Sequence, residues 1–184
     1  MVTERPASNR LAVALVGGSA VAIVLGVYGR VHDPTHHALF TLFFTNTIRM
    51  KAWLASVVVV LATVQVLSAL RLYGKIKFPR HAPTWLGDFH RLTGTLAFIV
   101  SLPVAFHCLW SLGFQSHLGD GRTFIHSLLG CVFYGAFATK IIVVRSKNLP
   151  DWALPAVGGT VFATMVGLWL TSSLWFFRTV GTGI

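Results

Sequence analysis

Acidic residues are nearly missing from this sequence. Asp and Glu together number 5 among 184 residues, and charged residues of both signs make up only 11%. Soluble domains carry roughly 25%, so the composition excludes an ordinary water-soluble domain. Few carboxylates also mean no carboxylate pair for acid–base chemistry. The two cysteines, Cys108 and Cys131, both fall inside apolar runs and imply no disulfide framework. No Ser-His-Asp set, phosphate-binding glycine loop or Cys-x-x-Cys is present, which leaves hydrolase and nucleotide-binding readings without support. Basic residues, 15 in all, give a net charge of +10, yet none form a run interleaved with aromatics. A nucleic-acid surface is therefore not indicated.

What is abundant is apolar sequence: 54% of residues are hydrophobic and the mean hydropathy is +0.70. Five stretches reach the length needed to cross a hydrocarbon core ~30 Å thick at ~1.5 Å per helical residue. They run from about 11 to 29, 52 to 72, 89 to 110, 123 to 144 and 152 to 177. The expected fold is all-α, a single transmembrane domain over 1–184 built as a five-span helix bundle. Ala20-Val21-Ala22 in the first run resembles a signal-peptidase site, but the apolar run continues to Val27, which favours a retained helix. Between the first two spans, Asp33-Pro34 reads as a turn, and Thr35 is placed to cap a short helix from His36. Phe40, Phe43 and Phe44 are too few to span and suit an interfacial helix over about 36 to 45. Pro103 is expected to kink the third span.

Basic residues sit mainly at span ends, where they fit the positive-inside pattern and attraction to anionic lipid. With the N-terminus inside, the inner segments hold Arg5, Arg10, Arg71, Lys75, Lys77, Arg80, Arg91, Lys140, Arg145 and Lys147. The outer segments hold Arg30, Arg49, Lys51, Arg122 and Arg178. That asymmetry predicts N-in, C-out in a cell (cytoplasmic) membrane. Trp85, Trp110, Trp152 and Trp175 fall near span ends, as an aromatic belt requires.

Three histidines lie inside the third and fourth apolar runs, and ionisable groups at such depths are rare and usually functional. His107 lies about one turn from the outer end of span three, and His126 about one turn from the outer start of span four. Consecutive spans joined by a short loop are antiparallel neighbours as a rule, which gives these imidazoles a similar depth. Facing each other, they suit the two axial positions of a haem iron. The alternative is a pair of imidazoles bonded to backbone or water in a polar pocket. His90 lies about 25 Å along the helix from His107, at a level where a second haem would sit, with loop residue His81 as its candidate partner. Gly94 and Gly130 each follow a histidine by four residues and offer a bare patch for a flat macrocycle, or simply a close helix approach. Arg91 and Arg122 are candidate propionate partners or interfacial anchors. His32, His36 and His37, with Asp33, form an outer-loop cluster that reads as solvated, with metal binding as the alternative.

At His90-Arg91-Leu92-Thr93-Gly94, His107 and His126-Ser127-Leu128-Leu129-Gly130, the chain resembles small membrane cytochromes b of the cytochrome b-561 and ferric-reductase-like groups. The whole chain is also similar to a family of small, uncharacterised bacterial membrane proteins with five predicted spans. The cytochrome resemblance implies haem b held by helix-borne histidines, electron transfer across the membrane, and a place as a cytochrome b-type oxidoreductase component. The pattern departs from a two-haem member, because spans two and five contain no histidine, and one haem is favoured over two. A quinol or small reductant and a redox protein would be the partners. The rival readings are a non-catalytic accessory or assembly subunit of a larger membrane complex, and a copper or zinc protein using the outer histidines.

Overall fold

The computed structural model describes residues 7–78, 81–114 and 121–181. The described residues are helical with no strand, in the order α1 (Ala7–Val31), α2 (Thr47–Leu72), α3 (Leu86–Phe106), α4 (Gly121–Arg145), α5 (Ala153–Trp169) and a short α6 (Trp175–Thr179). Two π-helical segments continue the helical path: His107–Leu112 after α3, and Leu170–Leu174 between α5 and α6. Counted through these segments, five helices are long and apolar enough to cross a membrane. Few of their side chains are buried, and many apolar ones are exposed, among them Val16, Ile23, Val60, Ile99 and Val132. Exposed apolar surface on this scale needs lipid around it. Trp85, Trp110, Trp152 and Trp175 are all exposed near helix ends. The Arg5 and Arg80 of the charge pattern, and the loop at 115–120, lie outside the described residues.

The spans are longer than hydropathy alone predicts, and local capping explains why. Asn46 starts α2 by accepting the Arg49 N–H on its side-chain oxygen at 2.9 Å, five residues ahead of the expected start. Gly74 ends the helix in the left-handed region at φ 68°, with its N–H bonded to the Arg71 carbonyl. After Arg145, Asn148 takes φ 58° in the tight turn that leads to α5.

The interfacial helix expected over 36 to 45 is not formed; no helix lies between Val31 and Thr47. His36 and Leu42 take φ of 56° and 53°, which a right-handed helix forbids. The N–H groups of Thr35 and His36 bond to the carbonyls of Trp110 and Ser111 instead of starting a helix. Thr35 does not cap one; its hydroxyl accepts the His37 N–H at 3.4 Å.

The helices divide into two compact units. The first comprises the chain to Asp33 and residues 113–167, with α1 antiparallel to α4. A Cβ on Gly135 would meet the Gly18 carbonyl at 2.7 Å and Ala22 Cβ at 2.9 Å, so only glycine allows this crossing. Ala14, Val143 and Ala153 form its buried core. Arg10 reaches the Lys147 carbonyl at 2.8 Å.

The second unit comprises residues 34–112 and the chain from Leu168. Here α2 packs antiparallel to α3. Gln65 on α2 donates to the Thr93 hydroxyl at 2.6 Å and to the His90 carbonyl, and Ser68 Oγ lies 2.7 Å from His90 Nδ1. The π segment Leu170–Leu174 also packs on α2. Trp169 sets that register by donating its indole N–H to Ser56 Oγ at 2.9 Å.

Candidate functional site

The α2–α3 pairing sets the level of each side chain in the second unit. Gln65 opposite Thr93 and Ser68 opposite His90 put His107 at the level of Met50, close to the Thr47 end of α2. His107 and Met50 are both completely buried. Pro103 has no N–H to give its helix, and four residues beyond it the helix opens into the π segment that starts at His107. Single π turns occur often at functional sites.

The imidazole of His107 has one nitrogen engaged and one not. Nδ1 lies 3.2 Å from the Pro103 carbonyl. A carbonyl only accepts, so Nδ1 carries the proton and Nε2 presents its lone pair. Nε2 is buried and has no hydrogen-bond partner. Phe40 packs edge-on against the ring at a centroid distance of 4.5 Å, and Phe106 at 5.3 Å. A buried acceptor without a partner is costly unless a bound group occupies it. A neutral imidazole fixed through Nδ1–H to a backbone carbonyl is also the usual state of a metal-ligating histidine.

The other site residues fare differently. His126 sits half-buried on α4 in the first unit, whereas His107 belongs to the second. His90 has its Nδ1 engaged by Ser68 and its carbonyl by Gln65. His81 is exposed. Gly94 offers no room for a macrocycle, because the Gln65 side chain fills the space: a Cβ there would meet Gln65 Oε1 at 2.9 Å. The bare patch in that stretch of sequence is a close helix approach. Gly130 faces open space, with nothing within 4 Å of where a Cβ would stand. Arg91 pairs with Asp88 on an exposed surface, and Arg122 donates to the Thr123 hydroxyl at 3.4 Å. His36 and His37 are exposed, and His32 stacks on Tyr28 at 5.0 Å. Among the described residues, no three His, Cys, Asp or Glu side chains come together as a metal-ligand set. That arrangement matters for zinc, which takes several protein ligands. A haem iron already has its macrocycle and takes an axial ligand or two from the protein.

Three further buried polar groups escaped the sequence reading. Ser111 Oγ, Ser173 Oγ and Trp53 Nε1 are buried and have no hydrogen-bond partner. Ser111 lies one turn from His107 in the same π segment, and Ser173 lies in the other. Four other serines bond back to their own backbone: Ser56 to Ala52, Ser68 to Val64, Ser127 to Thr123 and, beside Ser173 in the second π segment, Ser172 to Leu168, all at 2.7–3.0 Å. Ser111 and Ser173 lack that bond.

Five helices long and apolar enough to cross a membrane define a multi-pass membrane protein, and its second unit holds a completely buried histidine. Residues 11–184 match a protein family described only as a family of unknown function (DUF6529), and the chain belongs to that family. No curated protein and no solved structure matches it.

Proposed function

We propose that this is a haem b-binding protein of the cell membrane that passes electrons between a quinol or small reductant and a partner redox protein. The observation that carries the reading is the fully buried Nε2 of His107, which has no hydrogen-bond partner. His107 would be one axial ligand and His126 the other, with one haem favoured. Bound haem b supplies a one-electron iron couple. The chain's own part is to fix the imidazole's tautomer and orientation through the Pro103 carbonyl, to exclude water with Phe40, and to keep the site within apolar helices. Arg122 and Gly130 remain partners for such a group. Gly94 does not favour a second one, since the Gln65 side chain already fills the space beside it. The N-terminus would lie inside and the C-terminus outside. A visible spectrum of the purified protein tests the reading: a Soret band and a reduced α-band are expected, and their absence from protein made with ample haem would overturn it.

A further inference from the structure

We propose that the Thr47 end of the second unit is a binding site for a neutral carbonyl oxygen, of the kind a membrane quinone headgroup or a lipid acyl ester presents. Trp53 Nε1–H, Ser173 Oγ–H and Ser111 Oγ–H are buried donors without acceptors. The Trp169–Ser56 bond sets the register here: Ser173 is one turn beyond Trp169, and Trp53 is about one turn before Ser56, so both fall at one level of the same seam. The ring of Trp53 meets Phe177 at 5.2 Å, which confirms that level. His107 and Ser111 come to the same end of the unit through the α2–α3 register.

The chemistry of these groups selects the ligand. An indole nitrogen can only donate, and a hydroxyl can donate, so the ligand atom is an acceptor. Arg49, on the first turn of α2, is only half-buried, and no Lys or Arg side chain is buried among the described residues, so a carboxylate buried here would be strongly disfavoured. A neutral carbonyl meets the donors without that penalty. The rings of Trp53, Phe177, Phe40 and Phe106 at this end suit a flat or acyl-bearing neighbour. Both serines occupy π segments, and neither makes the bond back to its own helix that Ser56, Ser68 and Ser172 make. The two irregular turns thus hold hydroxyls ready for an external acceptor.

The inference does not depend on haem. Binding is read from the unfolding midpoint and haem from its Soret band, so either reading can fail alone. The full-length protein in nanodiscs is titrated with decylubiquinone, in ester-linked and in ether-linked phosphatidylcholine. A midpoint that rises with decylubiquinone supports the site and assigns it to quinone. A midpoint that is higher in ester than in ether lipid, and indifferent to quinone, supports the site and assigns it to lipid. Loss of one neutral hydrogen bond should weaken binding about 5- to 10-fold in Ser173→Ala and in Trp53→Phe. Each substitution also removes an unsatisfied buried donor, so in ether lipid without quinone the midpoint should hold or rise. A merely structural serine or tryptophan would lower it. No response to quinone or to lipid linkage, or full response in both variants, would overturn the proposal.

Discussion

Trp169 donates its indole N–H to Ser56 Oγ at 2.9 Å, and that one bond fixes where the last helical stretch lies along α2. Ser56 is a two-way link, because its own hydroxyl donates to the Ala52 carbonyl at 2.8 Å. Ser56→Ala would remove the acceptor and leave the indole N–H unpaired in an apolar seam. Side-chain hydrogen bonds between membrane helices average ~0.6 kcal/mol and reach ~1.7 kcal/mol. We expect a loss of about 1 kcal/mol, read as a lower midpoint in a dodecyl sulfate titration. Trp169→Phe should lose a similar amount, and the double variant should lose little more than either one.

Gly135 carries the α1–α4 crossing of the first unit. A side chain there would strike the Gly18 carbonyl at 2.7 Å, a backbone atom that cannot swing aside. Gly135→Val should destabilise by about 1–3 kcal/mol, the usual range for overpacking. Gly158→Val is the control, since nothing lies within 4 Å of its Cβ position. Unfolding midpoints of the two variants should separate clearly. Equal values would refute the close crossing.

Much of this architecture was legible in the sequence, and the failures share a cause. The five spans follow from hydropathy and length, which act within one helix. The helix ends needed caps, and Asn46 and Gly74 carry recognisable ones. Contacts between helices were not legible. Gln65 is a polar residue in an apolar span, but only the α2–α3 register shows that it fills the space beside Gly94. The stretch with Phe40, Phe43 and Phe44 has a helix-like apolar pattern, yet its neighbours His36 and Leu42 are left-handed and its N–H groups go to Trp110 and Ser111. Ser111 and Ser173 look like any serine in an apolar run. Both sit in π segments, which leave no pattern in hydropathy.

The basic residues give a topology that reporter fusions can read. Ten of those assigned to loops and helix ends fall on one side and five on the other. Fusions after residue 184 and within residues 73–85 should report opposite sides of the membrane, with the C-terminal fusion outside. The same side for both would contradict five crossings.

The sharpest prediction concerns His107. Its Nε2 is buried and unpaired, while Nδ1 is bonded to the Pro103 carbonyl. If the lone pair binds haem iron, His107→Ala should lose most of the haem, and His126→Ala should do the same as the other axial ligand. His117, in the stretch outside the described residues, is the control whose replacement by alanine should leave haem intact. His90→Ala separates one haem from two. With Gln65 filling the space beside Gly94, no second haem is expected there, so the ratio of haem to protein should stay unchanged rather than halve. Stability gives an independent readout. Removing a ligand from a protein that binds haem should lower the midpoint of the loaded form. Yet His107→Phe, tested without haem, should hold or raise it, because it deletes a buried acceptor that nothing satisfies. Full haem retention in the His107→Ala, His126→Ala double variant would end the assignment, whatever the midpoints show.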